Sequence, residues 1–242
     1  MAAMVTLPKP NELARLQSAS GADYQITPED AETLVRMGVF EGGDPAYTLW
    51  AIAQRWVLFR DAYAKKAAAN KWRTREYAHS LTWLVQRFSQ PLNPDWRRDG
   101  EFCKPGGKYH AQAACDAAAL ERRDIAAFST LDVVQSRNPQ AFDTSIAWLK
   151  AEIPNPVPRA VNFSVEPVAL HYLQNTSGAR ELARSPKDTC PACNVFITEA
   201  AARTWPENFV WLRAPNGAVT TAPLQTFAQG LWEGFTSWWH LA

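Results

Sequence analysis

The sequence predicts a mainly α-helical α+β domain with a flanking arm at each end. In its first half, apolar residues recur at helical spacing behind residues that cap helices well. Beyond a proline-rich connector at residues 154–158, the chain changes to short β-like pieces. The chain of 242 residues is 47% hydrophobic and 20% charged, which is typical of a globular protein able to bury a substantial core.

Two consecutive helices are predicted after an irregular arm at residues 1–26, which contains one helical turn around residues 11–17. Thr27 is the N-cap of the first helix, Pro28 occupies its first position, and two acids follow. This helix is expected to end at Glu41, because two glycines come directly after it. Asp44 then caps a second helix, whose apolar residues form one stripe.

Three more helices and then three strands are predicted along the rest of the domain. The helices begin at good caps or run through alanine-rich sequence, and prolines end them; they cover residues 80–88, 110–128 and 139–153. The strands are expected at residues 160–165, 194–198 and 209–213, with short helices near residues 168–174 and 199–204. The domain therefore extends over residues 27–213.

The C-terminal segment, residues 214–242, is expected to carry a tryptophan-rich helix over residues 223–240. Its apolar residues follow the spacing of one helix face: Leu224, Phe227, Leu231, Phe235 and Trp238. Aromatic side chains contribute strongly to protein interfaces, so this helix is interpreted as a docking element. The whole chain contains 11 Trp, which fit a core, sugar-stacking subsites or partner-facing anchors.

Composition and charge exclude several classes of protein. The 25 Lys and Arg and 24 Asp and Glu leave a formal charge of +1, which argues against non-specific binding of nucleic acid. No apolar run approaches the roughly 20 residues that a membrane-spanning helix needs. The first residues lack a basic region followed by an apolar stretch, so no secretory signal is predicted.

The four cysteines leave several alternatives open. Cys103 and Cys115 are twelve residues apart, and Cys190 and Cys193 form a single C-P-A-C motif. Disulfide stapling is favoured, with free structural thiols, a zinc site and a redox motif as the alternatives. A zinc ribbon has two tight C-x-x-C hooks and this sequence has one, so neither a metal site nor a cofactor is predicted.

The residue that best fits a catalytic role is Glu41. The sequence contains no G-x-S-x-G, P-loop, H-E-x-x-H or G-x-G-x-x-G motif, and its four histidines are isolated. A carboxyl at a helix C-terminus beside apolar side chains is desolvated and faces an unfavourable helix dipole. Both effects raise its pKa, which suits a general acid near neutral pH.

The residues around Glu41 resemble a known family. Phe40-Glu41-Gly42-Gly43, followed by Trp50 to Gln54-Arg55, is similar to the Y-G-E-A-x-G-E … A-x-V-x-x-N-R pattern of the cell-wall hydrolases. These include the spore-cortex-lytic enzymes and lysozyme-like phage proteins that degrade peptidoglycan. The sequence departs from that pattern in two places: Gly43-Asp44 replaces Gly-Glu, and Gln54 replaces Asn.

The resemblance implies a lysozyme-like, lytic transglycosylase-like domain over residues 27–213, in which residues 97–158 have no counterpart. It implies that Glu41 is the catalytic acid and that four polar residues position the substrate: Gln54, Ser89, Gln90 and Asn162. No second carboxylate is convincingly placed, although Asp44 and Asp61 are candidates. A transglycosylase, in which the muramyl 6-hydroxyl attacks C1, is therefore favoured over a hydrolase.

The expected partners are peptidoglycan glycan strands and, through the C-terminal helix, other virion or tail proteins. Without a secretory signal, such an enzyme would reach the cell wall inside a phage particle. Two alternatives remain open: a non-enzymatic virion or assembly protein on a lysozyme-like scaffold, and a cytoplasmic zinc or redox protein that uses the C-P-A-C motif.

Overall fold

A computed structural model describes residues 5–41, 43–63, 80–185 and 194–221. Within these ranges the chain forms an α+β fold with seven α-helices and two small antiparallel sheets. The helices are α1 (Pro28–Phe40), α2 (Pro45–Leu58), α3 (Leu81–Phe88), α4 (Ala117–Phe128), α5 (Leu131–Arg137), α6 (Pro139–Leu149) and α7 (Glu166–Asn175). The strands are β1 (Arg15–Ser18), β2 (Asp23–Gln25), β3 (Asn162–Val165), β4 (Arg180–Arg184), β5 (Asn194–Thr198), β6 (Val210–Arg213) and β7 (Val219–Thr220). None of the helices in the described part is long and apolar enough to cross a membrane.

Helix α1 has the boundaries that its capping residues predict. The Thr27 hydroxyl accepts a hydrogen bond from the Asp30 N–H, and the Asp30 carboxylate accepts one from the Thr27 N–H, which forms a capping box. At the other end, the Glu41 N–H donates to the carbonyl of Met37 and Glu41 is the C-cap residue. The predicted end of the helix is therefore confirmed.

Helices α2 and α3 also begin at their predicted caps. The Asp44 carboxylate accepts from the Ala46 N–H at 2.8 Å, and the Ser80 hydroxyl accepts from the Trp83 N–H at 3.2 Å. Helix α2 continues into a π-helical turn at Phe59–Tyr63. Almost every residue of α2 is buried, so this helix runs through the middle of the domain.

Tryptophan and a glycine bring α1, α2 and α6 together in the core. Trp50 of α2 and Trp148 of α6 are fully buried and meet edge to face, with ring centroids 5.7 Å apart. A Cβ atom on Gly38 of α1 would lie 2.2 Å from the Ser145 Oγ of α6. A residue without a side chain fits here, because a Cβ atom would overlap the Ser145 hydroxyl where α1 packs against α6.

The N-terminal residues form strands rather than the predicted irregular arm. Strand β1 pairs with β2 and with β6, in the sheet order β2-β1-β6-β7. The predicted helical turn is reduced to a 3-10 turn at Pro10–Glu12. Strand β1 lies between its hairpin partner and β6, so Leu16 is fully buried opposite Leu212. The predicted C-terminal helix, residues 223–240, lies outside the described residues.

The second sheet has the strand order β3-β5-β4 and supports one side of the candidate site. The strands predicted at residues 160–165, 194–198 and 209–213 correspond to β3, β5 and β6. The helix predicted at residues 199–204 is wrong, because that segment folds into turns. The backbone N–H groups of Ala202 and Arg203 both donate hydrogen bonds to the carbonyl of Glu199, but this pattern does not continue into a helix.

Candidate functional site

The end of α1 opens into a cleft of about 860 Å³. The cleft is lined by the C-cap residue of α1, by residues of α3, α4, α7 and strands β3 and β5, and by the loop between α3 and α4. The lining residues are Glu41, Arg87, Phe88, Gln90, Pro91, Asn93, Trp96, Tyr109, Arg122, Phe163, Ser164, Val165, Val168 and Asn194. A space of this size accommodates a ligand larger than one sugar ring.

Glu41 is partly buried at this cleft and its carboxyl is hydrogen-bonded by Ser89. The Ser89 hydroxyl donates to Glu41 Oε2. Desolvation raises the pKa of Glu41 to about 7, although the Ser89 hydrogen bond and the charge of Arg122 both act to lower it. Near neutral pH a large fraction of Glu41 is therefore protonated and able to donate a proton.

Ser89 is held rigidly by the backbone at the end of α3. Its N–H donates to the carbonyl of Val85 at 2.7 Å, and its own carbonyl accepts from Leu92 and Asn93 at 3.1 and 2.9 Å. The side chain is fully buried. The structure thus brings Ser89 next to Glu41, where its direct partner is the carboxyl group.

Of the two remaining residues predicted to position substrate, Gln90 lines the cleft and Asn162 does not. Gln90 is exposed and lines the cleft, one residue beyond Ser89. Asn162 is partly buried at the start of β3 and does not line the cleft, whereas the following residues of that strand do. Its side-chain oxygen accepts from the Phe163 N–H at 2.9 Å, so Asn162 shapes the backbone of the wall.

Gln54, predicted to position substrate, is buried in structural hydrogen bonds and does not line the cleft. The side chain is 1% exposed, and its Oε1 accepts from the Arg159 N–H at 2.6 Å and from Asn155 at 3.3 Å. Its Nε2 donates to three carbonyls, those of Trp50, Val157 and Ala160. These bonds hold the proline-rich connector against α2 and so position β3, which follows the connector.

Neither of the other acids proposed from the sequence lies in the cleft. Asp44 caps α2 through its carboxylate, and Asp61 lies in the π-helical turn beside a separate cavity. Among the described residues that line the cleft, Glu41 is the single carboxylate. Catalysis by two carboxylates therefore has no second partner in the described lining.

Several lining residues were not found by sequence reasoning. Arg122 of α4 donates to the carbonyl of Phe40 at 3.2 Å and approaches Glu41 from more than 80 residues away. Trp96, Tyr109, Phe163 and Asn194 also line the cleft. The sequence signal for this part of the lining was the aromatic residues within residues 96–109. That signal does not show which side chains face the cleft.

The structure describes one of the two cysteine pairs considered in the sequence analysis. Cys103 and Cys115 form a disulfide, as stapling predicted, whereas Cys190 and Cys193 lie outside the described residues. Over the ranges that the structure describes, no group of three or more His, Cys, Asp or Glu side chains is arranged to hold a metal ion.

Fold and cleft together describe an α+β protein in which a carboxyl group of raised pKa, that of Glu41, lines an open and partly aromatic cleft. Comparison with known proteins adds no relative, since no family model, no curated protein and no solved structure matches the chain. The chemistry of the cleft is therefore the basis for inferring a function.

Proposed function

We propose that this protein cleaves the glycan strands of peptidoglycan, with Glu41 as the acid in a lysozyme-like domain. The observation that carries the proposal is the Glu41 carboxyl, whose pKa of about 7 leaves it protonated in part at neutral pH beside an open cleft. Cleavage of a glycosidic bond requires a proton on the leaving oxygen. The resemblance of the sequence around Glu41 to cell-wall hydrolases supports peptidoglycan as the substrate.

The lytic transglycosylase reaction suits this cleft better than hydrolysis. Glycoside hydrolases of the common types use two carboxyl groups on opposite sides of the scissile bond, and the described lining of this cleft offers one. In the transglycosylase reaction Glu41 donates its proton as the C1–O4 bond breaks. The muramyl 6-hydroxyl then attacks C1 and returns its proton to Glu41, so that the product carries a 1,6-anhydro ring and no water is consumed.

Ser89 and Arg122 support the charged form of Glu41 during this cycle. After donating its proton the carboxylate keeps the Ser89 hydrogen bond, and the Arg122 charge lies close to it. Both groups favour the anion, which helps proton release. Gln90, exposed in the cleft, is proposed to bind sugar hydroxyl or N-acetyl groups.

We also propose that the enzyme acts from a phage particle. This part of the proposal rests on the resemblance to lysozyme-like phage proteins and on the aromatic spacing of residues 223–240, which would form the contact with other virion proteins.

Digestion of purified peptidoglycan, followed by mass spectrometry of the released muropeptides, tests the proposal. We expect products with 1,6-anhydromuramic ends from the wild type and none from the Glu41→Gln variant. Products with reducing muramic acid ends would show a hydrolase instead. A folded wild-type protein that releases nothing would refute an enzymatic function and favour a structural role in the virion.

A further inference from the structure

One part of the cleft lining comes from Trp96 and from the loop after it, which belongs to the residues 97–158 that have no counterpart in the family resemblance. Trp96 and Tyr109 line the cleft and stack on each other, with ring centroids 5.0 Å apart and planes 22° apart. Phe102 packs edge-on against both rings, at 5.2 Å from each. We call Trp96, Phe102 and Tyr109 the aromatic wall.

A disulfide and backbone hydrogen bonds hold the aromatic wall in place, although its loop contains no strand and no α-helix. The Cys103–Cys115 disulfide closes the loop that carries Tyr109. Within the loop, the Phe102 N–H donates to the carbonyl of Asp95 at 2.9 Å and the Tyr109 N–H to that of Phe102 at 3.1 Å. These links hold the wall in one arrangement, and a disulfide is the strongest of them.

Arg123 of α4 ties the same loop to the rest of the domain. Its guanidinium lies 5.5 Å from the Trp96 ring and donates to the carbonyls of Trp96 and Ala114. The side chain is 5% exposed, and a buried charged group with several hydrogen bonds is costly to displace. A loop that served only to connect two helices would not require such a fixed internal structure.

Another part of the cleft lining is also apolar. Val165 and Val168 line the cleft and remain 41% and 56% exposed, and Phe163 lies beside them. The lining also contains polar and charged side chains, among them Glu41 and Gln90. A sugar ring matches this arrangement, because its C–H faces are apolar and its hydroxyl groups point outward from the ring edge.

We propose that the aromatic wall is a sugar-binding subsite of the cleft and that the Cys103–Cys115 disulfide holds it in its binding position. The choice of a glycan as ligand rests on the proposed function, whereas the wall itself is a separate feature from the Glu41 chemistry. Binding at this subsite therefore requires an oxidised Cys103–Cys115 pair. A peptide ligand is the alternative that the test distinguishes.

Calorimetric titration with an N-acetylglucosamine hexasaccharide tests the subsite, in a Glu41→Gln background that prevents turnover. We expect Tyr109→Ala to weaken binding about tenfold, the effect of losing one aromatic contact, and Tyr109→Phe to keep most of the affinity. Phe128→Ala is the matched control, because Phe128 is 69% exposed and does not line the cleft. Unchanged binding by Tyr109→Ala would overturn the proposal.

The disulfide is tested by the paired substitution Cys103→Ser and Cys115→Ser in the same background. We expect a loss of affinity similar to that of Tyr109→Ala, with a far-UV circular dichroism spectrum like that of the parent. Normal binding would overturn the role of the disulfide. Global unfolding would overturn it as well, since the disulfide would then support the whole domain rather than the wall.

The outcomes separate this subsite from the proposed function. If the parent does not bind the hexasaccharide or binds only peptide stems, the sugar subsite is refuted, although cleavage of peptidoglycan by the wild type would still support the enzyme. Hexasaccharide binding that depends on Tyr109, in a protein whose wild type cleaves nothing, would support the subsite and refute the enzyme.

Discussion

Helix α1 carries a carboxyl group at each end, and the two lie in opposite environments. Asp30, in the first turn, is fully buried and accepts hydrogen bonds from five donors: the Tyr24 hydroxyl and the N–H and hydroxyl groups of Thr27 and Thr82. Glu41, at the C-terminus, is partly buried and receives a hydrogen bond from the Ser89 hydroxyl. The two acids are eleven positions apart on the same helix.

The comparison shows that burial does not by itself make a carboxyl group reactive. At the N-terminus, five donors surround Asp30, and the helix dipole also favours negative charge there. Burial and the neighbouring Asp30 raise the pKa of Tyr24, so its hydroxyl stays protonated as a donor. At the C-terminus the dipole opposes negative charge and desolvation raises the pKa of Glu41 to about 7. The same helix therefore carries a carboxyl group held by structural hydrogen bonds at one end and a proton donor at the other.

The largest expected effect is the loss of activity in Glu41→Gln. Removal of a general acid costs on the order of 10²- to 10⁴-fold in rate, and we expect peptidoglycan lysis to fall by at least the lower figure. The amide has nearly the same shape, so the melting temperature at pH 5 should stay within a few degrees of the wild type. A variant that lyses peptidoglycan at a near-normal rate would show that Glu41 is not the acid.

The matched substitution at the other end, Asp30→Asn, should affect stability instead. An amide nitrogen replaces one acceptor oxygen and faces donors, which leaves buried groups unsatisfied at a cost of about 3 kcal/mol. Urea unfolding of the variant measures this loss in the free energy of unfolding. Activity per folded molecule should remain normal, and a selective loss of activity would contradict the structural role of Asp30.

Stability should also respond to pH through Glu41. Its folded-state pKa of about 7 lies above its ordinary value of 4.5, so the folded state binds the proton more tightly than the unfolded state does. This contribution is fully present below about pH 4.5 and is lost as the pH rises through 7, which removes roughly 3 kcal/mol.

Urea unfolding at pH 5 and pH 8 measures this effect, with Glu41→Gln as the control because the amide does not titrate. We expect the free energy of unfolding of the wild type to fall relative to that of the variant between these pH values. Parallel behaviour of the two proteins would mean that the pKa of Glu41 is not raised.

The smallest expected effect concerns Ser89→Ala. The Ser89 hydrogen bond lowers the pKa of Glu41, so its removal should raise that pKa further and move the alkaline limit of activity to higher pH. The pH dependence of kcat/KM reports this pKa. Ser136→Ala, at an exposed serine of α5, should leave the profile unchanged. A shift of the limit to lower pH would contradict the role of Ser89.

Local features of the fold were predictable from the sequence because they depend on neighbours in the chain. The N-caps Thr27, Asp44 and Ser80 were identified by their side chains and by the residues after them. The end of α1 at Glu41 followed from the glycines that come next, so the position of the candidate acid on its helix was available without the structure. Strand β5, at Asn194–Thr198, matched its prediction at both ends.

Features that depend on distant residues were not predictable in this way. Strand β1 exists because it pairs with β6, about 195 residues later, and its own residues gave no strong strand signal. Gln54 was predicted to bind substrate because its position matched a family motif, whereas its side chain forms hydrogen bonds with the backbone of residues 157–160. Both features depend on a partner far away in sequence, which local patterns do not reveal.

The sequence by itself determined the helical framework of this protein, its caps and the place of Glu41 at a helix end, since backbone hydrogen bonding and side-chain capping act over a few residues. Only the tertiary structure decided that Ser89 and Arg122 meet Glu41 and that Trp96 and Tyr109 face the same cleft. These contacts join separate helices and loops, and packing of the whole core sets the distances between them. The pKa of Glu41 is likewise a property of the assembled cleft, because desolvation requires neighbours that the chain brings together only on folding.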